Sequence, residues 1–188
     1  MRICVFCGSS VGKRPEYVEA ASAFGRLLAA RGIGVVYGGA RVGMMGAVAD
    51  AALEAGGEAI GVIPQALVDK EIAHTGLTAL HIVGSMHERK AKMAELSNGF
   101  VALPGGTGTL EEAFEVWTWG VLGLHQKPCA WLNVAGYYDA LLAAIDRMAS
   151  EGFLKPEHRE MVLVDSDPER LVSSIVDYKP ALAPSKWG

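Results

Sequence analysis

The fold is decided by the stretch Phe100-Val101-Ala102-Leu103-Pro104-Gly105-Gly106-Thr107-Gly108-Thr109-Leu110-Glu111-Glu112. Its first four residues form an apolar run that is too short for a core helix, so they predict a fully buried strand that ends at Leu103. The glycine-rich segment after this strand predicts a tight turn, and the residues from Thr109 to about Leu122 predict a helix. A strand, a glycine turn and a helix are therefore expected in direct succession.

The glycine turn is a candidate phosphate-binding site. Gly105, Gly106 and Gly108 have no Cβ, so consecutive backbone N–H groups can turn toward one point. That point lies at the start of the predicted helix, where unpaired N–H donors and the positive end of the helix dipole favour an anion such as phosphate. The turn matches neither a dinucleotide fingerprint nor a P-loop, because Glu111 stands where the fingerprint needs its last glycine and no Gly-Lys-Ser/Thr is present.

Glu112 has two interpretations at this point. It would stand at the rim of the predicted turn, where a carboxylate can act on a bound ligand. Thr109 and Glu112 also have the spacing of a capping box, in which each side chain bonds to a free N–H group at the helix start. The stretch alone leaves both interpretations open.

The composition limits the class of protein. A chain of 188 residues that is 51% hydrophobic suits one domain with a substantial core, and we expect that domain over residues 1–179 with a tail over 180–188. The formal net charge of −4 argues against a nucleic-acid surface, which is usually strongly basic. No secretory segment opens the chain and no apolar run approaches a membrane span. We therefore expect a cytoplasmic protein that binds neither nucleic acid nor membrane.

The cysteines and histidines indicate no metal site. Cys4 and Cys7 form a C-x-x-C at the end of the first predicted strand. A zinc site would need a second cysteine pair, which is absent, and a thioredoxin motif would need a helix that starts after the first cysteine. We interpret both cysteines as structural. His74 and His81 have no partner at metal-ligand spacing, so we place them at the surface or at strand ends.

Apolar runs and helical patterns alternate along the whole chain. The predicted strands cover residues 3–6, 34–37, 59–63, 77–83, 100–103, 129–132 and 161–164, with helices over 17–31, 47–55, 86–98, 109–122, 138–148 and from 168 onward. This alternation predicts right-handed βαβ crossovers and hence a doubly wound, Rossmann-like α/β fold, with a mostly parallel sheet and helices on both faces. Ligands bind such folds beyond the carboxyl ends of the strands, where the strand order reverses. All three small-residue turns, at 7–10, 38–46 and 104–109, are expected at that edge.

Two of the predicted helices can be interpreted in more than one way. Arg89 and Lys90 follow a predicted capping box, Ser85 to Glu88, and such a pair commonly marks a solvated helical face. The helix over 109–122 is apolar nearly all round, which predicts burial on several sides. We prefer a helix at a homodimer interface, and a plain central core helix is the alternative.

Five motifs in the same order and spacing resemble the LOG family, the cytokinin riboside 5′-monophosphate phosphoribohydrolases. Pro104 to Glu112 matches the family signature P-G-G-x-G-T-x-x-E. The further matches are Cys7-Gly8-Ser9-Ser10 with Pro15-x-Tyr17, Tyr37-Gly38-Gly39 with Val42-Gly43 and Met45-Gly46, Met86-His87-Glu88-Arg89-Lys90, and Trp119 to Pro128. The resemblance covers the chain up to about residue 176. One departure is Ala40, where the family usually has a third glycine, and a positive φ there would cost roughly 1 kcal/mol.

The resemblance implies hydrolysis of the N-glycosidic bond in an N6-substituted adenosine 5′-monophosphate, giving the free base and ribose 5-phosphate without a metal or cofactor. It implies that Glu112 and Arg89 are catalytic. We expect Glu112 to stabilise the ribosyl cation or to activate water, kept ionised by the dipole of its helix. The remaining expected substrate contacts are Ser9, Gly39, Met86, Lys90, Gly105, Gly106, Thr107, Gly108, Thr109 and Glu115, of which Glu115 is equally an ordinary helix acid.

Two other functions stay open. A nucleosidase for AMP or another purine monophosphate would differ only in its base pocket, and a nucleotide- or cofactor-binding module would bind without cleaving. Proteins of this kind are often labelled lysine decarboxylases, a chemistry that uses pyridoxal phosphate on a Schiff-base lysine. The sequence offers no convincing lysine for it.

Overall fold

The computed structural model describes residues 1–70 and 72–180, so the expected tail lies outside the described residues except for Pro180. The strands are β1 (Arg2–Phe6), β2 (Gly34–Tyr37), β3 (Ala59–Pro64), β4 (Ala79–Val83), β5 (Gly99–Ala102), β6 (Cys129–Leu132) and β7 (Val162–Asp165). The helices are α1 (Pro15–Ala30), α2 (Gly43–Glu54), α3 (Gln65–Val68), α4 (Met86–Leu96), α5 (Thr107–Val121), α6 (Asp139–Ser150), α7 (Pro156–Arg159) and α8 (Pro168–Val176). The short helices α3 and α7 were not predicted from the sequence.

The seven strands form one sheet in the order β4-β3-β2-β1-β5-β6-β7, and every neighbouring pair is parallel. The α/β fold is confirmed, and the sheet is wholly parallel where a mostly parallel one was expected. The chain moves outward from β1 to β4, then crosses back to place β5 on the other side of β1. The strand order therefore reverses between β1 and β5, whose registers pair Phe6 with Ala102.

Alternate strand residues supply two cores, one on each face of the sheet. In β1, Ile3 and Val5 pack with residues of α1, α2 and α8, whereas Cys4 and Phe6 pack with residues of α4, α5 and α6. A parallel strand that is buried on both faces reads as a continuous apolar run, which is why the sequence identified these strands. Cys4 and Cys7 are buried and free, and burial raises the pKa of both thiols.

Helix starts follow the capping patterns in three places. Pro15 occupies the first position of α1, and the Asp167 carboxylate accepts the Arg170 N–H at 2.9 Å at the start of α8. At α4 the Ser85 hydroxyl accepts the Glu88 N–H at 3.1 Å. The Glu88 carboxylate reaches one residue further back than a capping box requires, to the N–H of Gly84 at 2.8 Å.

The start of α5 differs from the prediction in a way that matters for the site. The helix begins at Thr107, two residues earlier than expected, and Gly106 stands at its N-cap without a side-chain cap. The capping-box interpretation of Thr109 and Glu112 is therefore wrong. Glycines offer little resistance to helical backbone angles, so the helix begins inside the glycine turn instead of after it. Glu112 consequently lies in the second turn.

Ala40 does not carry the expected strain. Gly39 has φ +74°, but Ala135 is the sole non-glycine residue with a positive φ in the described part of the chain. Ala40 is buried and forms an isolated antiparallel bridge with Ala73. The turn after β2 therefore accommodates alanine where the family usually has glycine.

Candidate functional site

A cleft opens where the sheet order reverses. It has a volume of about 290 Å³ and lies between the ends of β1 and β5, the first turns of α5, and α4. This is the position at which open parallel sheets bind ligands. Its lining consists of Cys7, Gly8, Ser9, Met45, Met86, Arg89, Gly106, Thr107, Gly108, Thr109, Glu111 and Glu112.

The glycine turn forms one wall of this cleft, and close packing requires glycine at its first position. A Cβ on Gly105 would lie 2.1 Å from Thr109 Oγ1 and 2.8 Å from the backbone nitrogen of Gly8. That nitrogen donates to the Pro104 carbonyl at 3.1 Å, which joins the turns after β1 and β5. Gly106 and Gly108 are exposed and have open space around them, so the start of α5 is accessible to a ligand.

A buried ion pair forms the floor of the cleft. Arg89 Nη1 donates to Glu112 Oε1 at 2.6 Å, and each of the two side chains is only 10% exposed. Arg89 Nε also donates to the Val62 carbonyl at 3.1 Å, which fixes the guanidinium from a second side. The interpretation of Arg89 as part of a solvated helical face is therefore wrong.

The ionisation of Glu112 is set by burial and not by its helix. Burial raises the pKa of the Glu112 carboxyl, and the neighbouring Arg89 guanidinium opposes that shift. The first turn of α5 contains no acid, so the expected stabilisation by the helix dipole, which falls off within that turn, does not apply. Arg89 is the group that supports the ionised carboxylate.

Lys90 is buried too, but it points away from Arg89. Its Nζ lies 2.5 Å from Glu111 Oε1 and 2.9 Å from Glu115 Oε2. Burial lowers the pKa of the Lys90 ammonium, but its hydrogen bonds to Glu111 and Glu115 outweigh burial, and the pKa is raised. Lys90 and Glu115 thus form a second ion-pair cluster beside the cleft.

The structure brings together most of the residues expected at the site. Ser9, Met86, Arg89 and the segment from Gly106 to Thr109 line the cleft with Glu112, and Gly105 lies behind its wall. Gly39, Lys90 and Glu115 do not line it. Gly39 instead packs against β3 and β4, where a Cβ would lie 3.1 Å from the side chain of Ile63 and 3.2 Å from that of Leu80.

The predicted site omitted Gly38, and it also omitted four residues that line the cleft, Cys7, Gly8, Met45 and Glu111. A Cβ on Gly38 would lie 2.1 Å from Arg89 Nη2 and 3.1 Å from Met45 Sδ. The Tyr-Gly-Gly pattern marks a turn, but it does not indicate which glycine makes room for the guanidinium. That information lies in the contact between α4 and the end of β2.

Gly38→Ala should displace the Arg89 guanidinium and weaken turnover. We expect kcat/KM for the hydrolysis that the resemblance implies to fall about 100-fold, since a shift near 1 Å in a positioned group has effects of that order. Ala40→Gly in the same turn is the matched control and should leave kcat/KM unchanged, because Ala40 has no positive φ. Equal kcat/KM for both variants would contradict the steric role of Gly38.

The described residues contain no cluster of three or more histidine, cysteine or acidic side chains that could hold a metal ion. His74 hydrogen-bonds through Nε2 to Asp50 at 2.8 Å, and the His74 Nδ1 accepts the Gly76 N–H at 3.0 Å. Within residues 1–70 and 72–180, no helix is both long and apolar enough to cross a bilayer.

Solved structures with this fold carry other functions. The molybdenum cofactor binding protein of Rippkaea orientalis aligns with a TM-score of 0.70 and 24% identity, over 93% of this chain and 96% of that one. The molybdenum cofactor carrier protein of Chlamydomonas reinhardtii aligns with a TM-score of 0.70 and 21% identity, over 93% and 95%. At these identities the likeness establishes the fold alone.

Comparison by sequence is more specific. The cytokinin riboside 5′-monophosphate phosphoribohydrolase of Rhodococcoides fascians is 51% identical over 174 residues, 92% of this chain and 88% of that protein. An Arabidopsis thaliana enzyme of the same name is 47% identical over 190 residues, 99% of this chain and 83% of that protein. A family model described as "possible lysine decarboxylase" matches residues 45–175. The chain, with a P-G-G-x-G-T-x-x-E turn that opens onto a buried Arg-Glu pair, belongs to the LOG family.

Proposed function

We propose that the chain hydrolyses the N-glycosidic bond of N6-substituted adenosine 5′-monophosphates, as the names of its relatives indicate for them. Water adds across the bond between C1′ and the base, so the products are the free base and ribose 5-phosphate. The observation that carries the proposal is the Glu112 carboxylate, which is held by Arg89 at 2.6 Å and lines the same cleft as the open start of α5.

The two sides of the cleft suit the two ends of the substrate. The N–H groups of Gly106 at the N-cap and of Thr107 and Gly108 in the first turn have no carbonyl partner within the helix and favour phosphate. Cleavage of the glycosidic bond passes through an oxocarbenium-like transition state, whose positive charge a fixed carboxylate stabilises. Glu112 supplies that charge or takes a proton from the attacking water, and both roles need its ionised form.

Arg89 has a positioning part in this reaction. It holds Glu112 with one guanidinium nitrogen and Val62 with another, so the carboxylate has little freedom to turn away from the ribose. Its charge also favours the ionised form of Glu112 against the effect of burial. Ser9, Met86 and Thr109 line the same cleft and are proposed to contact the nucleotide.

The decarboxylase description fits these residues poorly. A Schiff base forms from a neutral lysine amine. Lys90 on α4 contacts α5 beside Glu112, but Glu111 and Glu115 raise the pKa of its ammonium and accept from that ammonium. No lysine appears among the described residues that line the cleft.

A cytoplasmic homodimer is part of the proposal. Leu110, Phe114 and Val121 on α5 are only partly buried, and Leu122, directly after the helix, is exposed. An apolar helix face that remains accessible supports pairing with a second copy. Lys90 and Glu115, which lie outside the cleft, would then contact substrate only if the pairing extends the pocket toward them.

The activity is tested by product analysis with matched nucleotides. Purified protein should release free base from isopentenyladenosine 5′-monophosphate, but much more slowly from isopentenyladenosine, which offers no phosphate to the start of α5. Equal release from AMP would identify a general purine monophosphate nucleosidase. Tight AMP binding in calorimetry with no release from any nucleotide would identify a binding module.

A further inference from the structure

Two neighbouring tyrosines hold the glycine turn through their hydroxyl groups. The Tyr137 hydroxyl donates to the Gly105 carbonyl at 2.5 Å, and the Tyr138 hydroxyl donates to the Leu103 carbonyl at 2.6 Å. Both tyrosines lie between β6 and α6, 32 and 35 residues after the carbonyl groups to which they donate. Neither lines the cleft that contains Glu112, but Tyr137 lines an adjoining cavity of about 280 Å³, which shares Gly8, Ser9 and Gly106 with that cleft.

These contacts determine where the N–H groups of the turn point. In a trans peptide the carbonyl and the following N–H lie on opposite sides of one plane, and the described chain has no cis peptide. Tyr138 holds the Leu103 carbonyl, Gly8 holds the Pro104 carbonyl through its N–H, and Tyr137 holds the Gly105 carbonyl. With three successive carbonyls held, the N–H groups of Gly105 and Gly106 are directed away from those partners.

The segment that carries the tyrosines has an unusual backbone. Ala135 adopts φ 51° and ψ 33°, a left-handed conformation that is unfavourable for alanine, and Gly136 follows with φ 73°. Asn133 stabilises the segment, since its side chain accepts the Tyr138 N–H at 2.7 Å and donates to Asp139 at 2.7 Å. Such backbone conformations persist only where surrounding contacts fix them. Here the conformation directs the hydroxyl groups of Tyr137 and Tyr138 to the glycine turn after β5.

We propose that Tyr137 is a positioning residue for phosphate recognition, because its hydroxyl orients the Gly105–Gly106 peptide so that the Gly106 N–H faces the cleft. This rests on the proposed function, which places a phosphate at that N–H. Tyr137 is 41% exposed as a residue and Tyr138 is 1% exposed, so loss of each hydroxyl should have a different effect. Tyr138 satisfies a buried carbonyl, and its loss destabilises the fold. Loss of the Tyr137 hydroxyl releases the peptide without opening the core.

The test measures phosphate recognition separately from folding. Tyr137→Phe should weaken binding of ribose 5-phosphate about three- to tenfold in calorimetry, the effect of one hydrogen bond, and should raise KM for the nucleotide by a similar factor. Its kcat, its Tm and its affinity for adenosine, which has no phosphate, should not change. Tyr178→Phe is the control, since no hydrogen bond from that hydroxyl occurs among the described residues. Tyr138→Phe should lower Tm.

The outcomes separate this inference from the proposed function. If the wild type releases no base but binds ribose 5-phosphate more tightly than Tyr137→Phe, the hydrolase proposal is overturned and the positioning role is supported. If the wild type releases base and Tyr137→Phe binds ribose 5-phosphate equally well, the positioning role is overturned alone. If Tyr137→Phe has a lower Tm and binds both adenosine and ribose 5-phosphate more weakly by the same factor, Tyr137 has only a structural role. That result also overturns the inference.

Discussion

Glu112→Gln should lower kcat for base release about 10²- to 10⁴-fold, the range that a catalytic acid or base contributes. Glutamine keeps the size of the side chain and an oxygen that can accept from Arg89 Nη1, so the pair geometry survives. What disappears is the negative charge, which both proposed roles of Glu112 require. Because the proposed function places the phosphate at the start of α5, away from the Glu112 charge, KM should change much less than kcat, which would place the loss in the transition state.

The Glu112→Gln experiment needs a control for the loss of one acidic charge. Glu19 on α1 is exposed and forms no ion pair within residues 1–70 and 72–180, so Glu19→Gln should leave kcat unchanged. Glu112→Gln leaves the Arg89 guanidinium buried without a carboxylate, so Tm should fall, and kcat is therefore compared at a temperature at which circular dichroism shows the variant folded. If Glu112→Gln keeps a kcat near that of the wild type, Glu112 has no catalytic role, whatever the effect on KM.

The pH dependence of the wild type follows from the same carboxylate. Burial raises the pKa of Glu112 above its ordinary value near 4.5 despite the opposing effect of Arg89. The active form is ionised, so kcat should fall as the pH drops through that raised pKa, at higher pH than for an unperturbed glutamate. The kcat of Glu112→Gln should not fall in this way at acidic pH. If kcat falls at the same pH in the variant and the wild type, the titrating group is not Glu112.

The sequence predicted the seven strands, the six longer helices and the edge of the sheet at which the candidate cleft lies, because these depend on local patterns. Buried parallel strands are visible as apolar runs, and each glycine turn follows one of them. The start of α5 was misplaced because glycine accepts turn and helix geometry alike. The local sequence pattern therefore predicted that the helix exists but did not predict its first residue.

The details of the site depend on contacts between distant segments, which no local pattern records. Arg89 and Lys90 are adjacent and of equal charge, yet successive helical residues point about 100° apart. One therefore contacts Glu112 in the cleft, and the other contacts Glu111 and Glu115 outside it. Gly38 and the tyrosines behind the glycine turn were missed for the same reason, since each acts through a contact with a residue far away in the sequence.

Arg89→Ala should have the second large effect, on activity and stability together. Removing the guanidinium leaves the Glu112 carboxylate buried without a cation, and breaking a buried pair in this way destabilises a protein by about 3 kcal/mol or more. Without Arg89 the pKa of Glu112 should rise further, which lowers the ionised fraction at neutral pH. We expect kcat to fall about 10²- to 10³-fold, as for loss of one electrostatic group in an active site.

The pH dependence of unfolding distinguishes a stranded charge from simple loss of packing. In Arg89→Ala the folded-state pKa of Glu112 lies above its unfolded value, so stability is greatest below the unfolded pKa and is lost as the pH rises through the folded one. The difference in Tm from the wild type should therefore be larger at pH 8 than at pH 5. Arg89→Ala combined with Glu112→Gln removes the unpaired buried carboxylate and should recover part of the Tm without any recovery of kcat.

Arg26→Ala, at an exposed position of α1, controls for loss of a positive charge. A loss of Tm that is independent of pH and unaffected by Glu112→Gln would show that Arg89 acts through packing alone, with no charge coupling to Glu112.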